Sequence, residues 1–164
     1  MDIPNIHASC VMLAGSAPAG LYRLGVLLLG ASGAGKSDLA LRLIEQGGRL
    51  VSDDRTELFI EDGRLRARAP AALAGLMEVR GVGVISLSYE TAADIALVVE
   101  LVAAAAVPRL PGPNHYVPPA PLSLPEGAQP PLIRLHAFEA SATAKVRWAM
   151  MALQHNLYRD EPNQ

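Results

Sequence analysis

The chain has 164 residues, of which 51% are apolar and 18% are charged, and its formal net charge is −2 at pH 7. This composition argues against intrinsic disorder, and the length suits one domain that buries its own core. Lysine and arginine are scattered rather than gathered into a basic run, so nucleic acid is not an expected partner. We therefore predict a single domain over residues 1–164.

The cysteine content and the apolar segments bear on where the protein is found. Cys10 is the one cysteine and cannot form an internal disulfide, which is typical of a reducing compartment. The N-terminal residues show no basic segment ahead of an apolar one, unlike a secretory signal. The longest apolar segment, residues 92–107, is interrupted by Asp94 and Glu100 and is shorter than the roughly 20 residues that cross a bilayer. We expect a cytoplasmic protein with no membrane partner.

Two strands and a helix are predicted at the start of the chain. Residues 7–13 and 24–29 are apolar and strand-like, and residues 15–20 carry turn signals between them. Residues 37–46 place apolar side chains at helical spacing, and Gly47-Gly48 provides a stop.

The same kind of composition predicts further strands at residues 49–52, 57–60, 64–69, 82–87 and 95–102. Asp62-Gly63 is a strong hairpin signal within this group. The last two strands are rich in Val, Ile and Leu, as buried strands are, although residues 92–106 also have a composition compatible with partial helix.

A proline-rich segment separates these strands from the C-terminal elements. Residues 108–131 cannot form a regular helix or a central strand. Beyond them we predict a last strand within residues 132–138, a helix within 140–157 and a flexible tail at 158–164. The whole pattern predicts an α/β fold in which a mixed sheet is flanked by helices.

A complete phosphate-loop motif follows the second strand and opens the first helix. Its residues are Gly30, Ala31, Ser32, Gly33, Ala34, Gly35, Lys36 and Ser37, which fit G-x-x-x-x-G-K-[ST] at every fixed position. The glycines let successive backbone N–H groups face one anion, and the helix N-terminus adds partial positive charge. An ordinary strand-to-helix turn would explain the glycines but not the Lys-Ser pair. We therefore predict that Lys36 contacts the phosphates of ATP and that Ser37 holds Mg²⁺.

Two adjacent carboxylates, Asp53 and Asp54, follow the strand after the helix. A helix of about eleven residues carries the chain roughly 16 Å from the loop, and about five extended residues return it by a similar distance. If that strand runs parallel to the one before the loop, both carboxylates come back to the phosphates. One would then help to hold Mg²⁺ and the other would accept the proton of an attacking hydroxyl. The alternative is an acidic surface turn.

Three stretches together resemble a known family. They are residues 25–41 (GVLLLGASGAGKSDLAL), 48–57 (GRLVSDDRTE) and 77–86 (MEVRGVGVIS). In this order and spacing they are similar to the C-terminal catalytic domain of the HPr kinase/phosphorylases, in a short form, over roughly residues 6–110. The resemblance implies a phosphate-loop kinase domain of that fold.

The resemblance also implies roles for matching residues. His7 matches a histidine at the start of the family's first strand, Asp53 matches its catalytic aspartate, and Lys36 completes the catalytic set. Arg80 lies in the family's Glu-x-Arg-Gly signature and is expected to join the loop in binding the nucleotide. The implied magnesium ligands are Ser37, Asp54 and Glu78.

The activity implied by the resemblance is transfer of the γ-phosphate of ATP, with Mg²⁺, to a serine of an HPr-like phosphocarrier protein. Some members also remove that phosphate using inorganic phosphate, and the family acts in bacterial carbohydrate regulation and phosphotransferase signalling as homo-oligomers. Two other functions stay open: a small-molecule kinase on the same scaffold, for which no Arg-rich lid is visible, and a nucleotide-binding regulator without efficient transfer. The Asp pair favours chemistry, because binding alone has little need of a base.

Overall fold

The computed structural model describes residues 2–159. The strands are β1 (Asn5–His7), β2 (Ser9–Ala17), β3 (Gly20–Leu29), β4 (Arg49–Ser52), β5 (Arg55–Glu61), β6 (Arg64–Arg68), β7 (Leu76–Val79), β8 (Gly83–Ser86), β9 (Ala93–Leu101) and β10 (Leu132–Leu135). The helices are α1 (Lys36–Glu45) and α2 (Ala142–His155), and short 3-10 turns occur at Ala71–Leu73 and Ala104–Ala106. The predicted combination of a mixed sheet and flanking helices is confirmed.

The main sheet has the order β1-β5-β6-β9-β3-β2-β4, and β10 pairs with the C-terminal half of β9. β9 is parallel to β3 and β10 is parallel to β9. β2 is antiparallel to both β3 and β4, so β4 points in the same direction as β3 although β2 lies between them. The carboxyl ends of β3, β4, β9 and β10 therefore lie at one edge of the sheet, where β2 begins.

The sheet separates two apolar clusters because side chains alternate along its strands. Val26 and Leu28 of β3 belong to the cluster that α1 and α2 cover, whereas Leu27 belongs to the opposite cluster. Strands β5 and β6 and the proline-rich segment, through Leu124, contribute to that second cluster. Burial on both faces explains why β3 and β9 read as nearly continuous apolar runs in the sequence.

Most predicted elements occur where expected, but the first hairpin is longer than predicted. β2 continues through Gly15 to Ala17 and the turn lies at residues 18–19. Gly15 pairs with Tyr22 across the strands, and a Cβ built on Gly15 would lie 2.3 Å from the Tyr22 hydroxyl oxygen. Gly15 therefore lies within a strand and leaves space for the neighbouring Tyr22 ring, whereas the sequence placed it in a turn.

Residues 82–87 contain the predicted strand, but the prediction that this strand is buried was wrong. β8 pairs with β7, a strand that was not predicted, in a two-stranded sheet separate from the main one. Val82 and Val84 are 72% and 69% exposed. Branched apolar side chains suit an exposed hairpin as well as a core strand, so composition alone could not separate the two.

The C-terminal part follows the prediction in outline. Residues 92–106 form a strand followed by a 3-10 turn rather than a helix, and residues 108–131 hold neither a helix nor a named strand. Of the tail predicted at 158–164, residues 160–164 lie outside the described residues. None of the helices in residues 2–159 has the length and apolar character that crossing a membrane would require.

Candidate active site

The sheet topology brings the predicted site residues to one edge. The phosphate loop follows β3, the aspartate pair follows β4, and Ser9 opens β2 between these two strands. β1 lies along the start of β5, where His7 is the register partner of Arg55. Segments that are distant in the sequence therefore meet because neighbouring strands end or begin at this edge.

The loop has the backbone shape that its glycines allow. Gly33 and Gly35 have φ angles of +82° and +99°, which side-chain-bearing residues rarely adopt. A Cβ on Gly35 would also lie 2.6 Å from the Ala137 Cβ, so the segment after β10 packs directly against the loop. Gly35 caps α1, and the first N–H groups of that helix are left without intrahelical acceptors.

Lys36 is held over the loop that precedes it. Its Nζ donates hydrogen bonds to the Gly30 and Ala31 carbonyl oxygens at 2.7 and 3.0 Å. Burial lowers the pKa of the Lys36 ammonium, and the nearby carboxylates of Asp54 and Asp53 act in the opposite direction. The ammonium is therefore partly desolvated, which strengthens its interaction with any anion in the loop.

Asp53 is buried and fixed by two hydroxyl groups. Its Oδ1 accepts hydrogen bonds from the Ser37 Oγ at 2.7 Å and the Ser9 Oγ at 2.9 Å. Only 8% of Asp53 is exposed. The carboxylate is thus locked against the first turn of α1, beside the hydroxyl that the motif assigns to a metal ion.

Asp54 has a different environment from its neighbour. Its backbone lies in the left-handed region at φ 65°, and its N–H donates to the Ser9 Oγ at 3.2 Å. The side chain is 65% exposed, and its Oδ1 lies 2.6 Å from the His7 Nε2. One aspartate therefore faces the loop while the other is open to solvent and oriented by an imidazole.

One cavity of about 390 Å³ contains most of the predicted site. Its predicted members are His7, Ser32, Gly33, Gly35, Lys36, Ser37, Asp53, Asp54, Glu78 and Arg80. Gly30, Ala31 and Ala34 do not line the cavity. The first two supply the carbonyl oxygens that hold Lys36, and Ala34 packs behind Gly30.

Glu78 and Arg80 reach the cavity from the β7–β8 hairpin. Met77, between the exposed Leu76 and Glu78, is buried in the cluster under α1 and anchors the hairpin. Within residues 2–159 the Glu78 carboxylate and the Arg80 guanidinium form no side-chain hydrogen bond or ion pair, and both line the cavity, so both are available to a ligand.

Sequence reasoning missed Ser9 and Phe138. Ser9 is fully buried and contacts both aspartates, but it is separated from them by more than forty residues, and a single serine at a strand start carries no signal. Phe138 lines the cavity from the segment after β10, which ends at Leu135, whereas the sequence placed Phe138 at the end of the strand predicted within residues 132–138.

The donor set fits a nucleotide and a hard cation. The Ser37 hydroxyl and the Asp53 carboxylate are adjacent oxygen donors, which Mg²⁺ prefers. Within residues 2–159 no three His, Cys, Asp or Glu side chains are grouped to hold a metal ion by themselves. Mg²⁺ is usually bound by one or two protein ligands together with phosphates and water.

The fold and the site define a mixed α/β protein in which a glycine-rich strand-to-helix loop faces paired carboxylates. The family model of the HPr Serine kinase C-terminal domain matches residues 9–109, so the chain belongs to this family. The expected span of the resemblance agrees with this match.

A solved structure extends the fold similarity beyond the matched residues. The Hpr(Ser) kinase/phosphatase from Coxiella burnetii is similar to this chain with a TM-score of 0.69 and 22% sequence identity, over 92% of each chain. The C-terminal elements therefore share the neighbour's fold, although the sequence resemblance fades there. No curated protein is significantly similar to this chain in sequence.

Proposed function

We propose that the protein is an ATP-dependent protein-serine kinase that phosphorylates an HPr-like phosphocarrier. The family and the fold support a kinase of this kind. The acceptor, the serine specificity and the nucleotide are our proposals. A role in bacterial carbohydrate regulation or phosphotransferase signalling, in the cytoplasm and as a homo-oligomer, is part of the same proposal.

One observation carries the proposal: two adjacent aspartates meet the phosphate loop in different environments. Asp53 is buried and accepts the Ser37 hydroxyl, whereas Asp54 is exposed and paired with His7. A protein that only binds a nucleotide would need at most one carboxylate, the one near Ser37. A second carboxylate that is both solvent-accessible and oriented is what an incoming hydroxyl requires.

The resemblance implies that Asp53 is the catalytic aspartate and that Asp54 is a magnesium ligand. These contacts favour the opposite division of roles. Asp53 is suited to the metal side, because phosphate-loop enzymes place a buried Asp beside the loop Ser or Thr that binds Mg²⁺. Asp54 is suited to accept the serine proton, and His7 orients it through the 2.6 Å contact. Ser37 stays a proposed magnesium ligand, with Glu78, which also lines the cavity, as a further candidate.

Mg²⁺, when bound, would neutralise the charge that develops on the transferring phosphoryl group. Lys36 is placed to turn from the loop carbonyls to the phosphate oxygens, and the loop N–H groups can hold the same anion. Arg80 offers a second cation from the hairpin side. Together these groups stabilise charge, while Asp54 handles the proton.

The test measures nucleotide binding and transfer on the same variants. We expect Asp54→Asn to keep ATP affinity within about twofold but to reduce transfer by about 10²- to 10⁴-fold, the usual contribution of a general base. We expect Asp53→Asn to lose the Mg²⁺-dependent part of ATP affinity. Calorimetry with and without Mg²⁺, together with radiolabel transfer, gives both values.

Asp62→Asn is the matched control, because Asp62 is also an aspartate with a positive φ, at 50°, but lies outside the cavity. It should change neither ATP affinity nor transfer. Full transfer in Asp54→Asn together with lost transfer in Asp53→Asn would return the base to Asp53. ATP binding with no transfer to any acceptor would favour the alternative function of a nucleotide-binding regulator.

A further inference from the structure

Phe138 is an exposed aromatic residue that lines the cavity, in which the charged and polar side chains lie beside the apolar Leu41, Met77 and Val79. It is 59% exposed and lines the cavity together with Ser32, Gly33 and Gly35 of the loop. The proposed function gives Phe138 no role beside Lys36 and the two aspartates. A large apolar ring left open beside a charged site calls for a ligand with an apolar face.

The ring is held in place by the segment around it. Its Cζ would lie 3.0 Å from a Cβ built on Gly35, so the ring touches the loop at the start of α1. The His136 ring meets it edge to face, with centroids 5.7 Å apart, and the His136 Nδ1 lies 2.9 Å from the Val102 carbonyl oxygen. Phe138 is therefore preorganised rather than a loose surface side chain.

Its backbone is tied to α1 on both sides. The Arg42 guanidinium donates to the carbonyl oxygens of Ala137 and Glu139, the two neighbours of Phe138. Asp38, which also lines the cavity, accepts a hydrogen bond from the same guanidinium at 3.0 Å. Phe138 is thus fixed relative to the phosphate loop itself.

The sheet order determines which end of a nucleotide meets Phe138. Relative to β3, which carries the loop, β9 and β10 lie on one side while β2 and β4 lie on the other. Phe138 follows β10 and Asp54 follows β4, so the two flank the loop from opposite sides. If the γ-phosphate points towards Asp54, the base lies towards Phe138.

We propose that Phe138 is the platform on which the nucleotide base stacks. This inference rests on the proposed use of ATP and adds the recognition of its base. Every nucleobase has a π-face, so the stack contributes affinity and positions the triphosphate without selecting strongly among bases. His136 supports the ring from the protein side.

The test compares a ligand that has a base with one that lacks it. Calorimetry with ATP and with inorganic tripolyphosphate, both with Mg²⁺, is applied to the unmodified protein and to Phe138→Ala. Removing the ring should weaken the affinity for ATP about 5- to 150-fold, the range for loss of one base–aromatic stack. Tripolyphosphate affinity should stay within about twofold.

Further variants separate stacking from packing. Phe138→Trp should retain ATP affinity, whereas Phe138→Leu, which keeps an apolar side chain without a π-face, should lose most of it. Trp148, which is 61% exposed, is another aromatic residue and does not line the cavity. Trp148→Ala should therefore leave the affinities for ATP and tripolyphosphate unchanged. Lys36→Ala should weaken both ligands, since it removes the ammonium that faces the phosphates.

Two results would overturn the stack while leaving the kinase proposal intact. Unchanged ATP affinity in Phe138→Ala would show that the ring does not touch the base. An equal loss of ATP and tripolyphosphate would show that the ring only supports the loop. Failure of the unmodified protein to bind ATP would overturn both proposals, whereas a base-dependent loss in a protein without transfer activity would support the stack and contradict the kinase.

Discussion

Ser9 connects the two aspartates more directly than any other residue of the site. Its hydroxyl donates to the Asp53 Oδ1 and accepts the Asp54 N–H, and the residue is fully buried. A single hydroxyl therefore fixes the carboxylate beside Ser37 and the backbone that presents Asp54. Ser9 acts as a positioning residue, because it reaches the reacting groups only through its neighbours.

We expect Ser9→Ala to lower the free energy of unfolding by about 1–3 kcal/mol, because it leaves a buried carboxylate oxygen and an N–H without their partner. It should also lower kcat for phosphoryl transfer while the KM for ATP changes little, since Lys36 and the loop are untouched. Chemical unfolding and steady-state kinetics measure both effects. Ser88→Ala, at an exposed serine, is the control. An unchanged kcat would remove the positioning role.

For the proline-rich segment, the sequence predicted only which structures it could not form. Proline composition ruled out a regular helix or a central strand, as observed, but said nothing of where the segment packs. Leu124 is 9% exposed and belongs to the cluster on the sheet face opposite the helices. The segment therefore covers part of the sheet face against which, within residues 2–159, neither α1 nor α2 packs.

The contribution of that cover can be measured with two leucines of the same segment. Leu124→Ala should destabilise the protein by about 2–3 kcal/mol through lost burial and a residual cavity. Leu110, which is 70% exposed, should give a change of at most about 0.5 kcal/mol on the same substitution. Urea unfolding monitored by Trp148 fluorescence and circular dichroism gives both values. Equal small effects would mean that the segment adds no stability.

The elements also show where composition is informative. The helix after the loop and the hairpin at Asp62-Gly63 were predicted within one or two residues, because local signals define them: apolar spacing in α1 and a turn dipeptide between β5 and β6. β7 was missed and β8 was placed in the core, since the environment of a strand depends on what covers it. Nothing local to Val84 shows that its face stays open.

At the scale of the whole molecule, the decisive feature is that the strand before the loop and the strand before the aspartates point the same way. Chain lengths predicted that the aspartates return to the loop edge on the condition that these two strands run parallel. They did not show that β2 lies between β3 and β4, which is what brings the Ser9 hydroxyl against both Asp53 and Asp54. Contacts such as those of Ser9 and Phe138 arise from tertiary packing, so only the fold reveals them.

The proposed function is tested by measuring phosphoryl transfer to a protein serine. The protein is incubated with γ-labelled ATP, Mg²⁺ and a purified HPr-like phosphocarrier, and the labelled residue is identified. Label should appear as phosphoserine and should be absent when the acceptor serine is replaced by alanine or when the kinase carries Asp54→Asn. If the protein binds ATP but leaves the phosphocarrier unlabelled, or labels it at a residue other than serine, the proposed serine kinase activity is wrong.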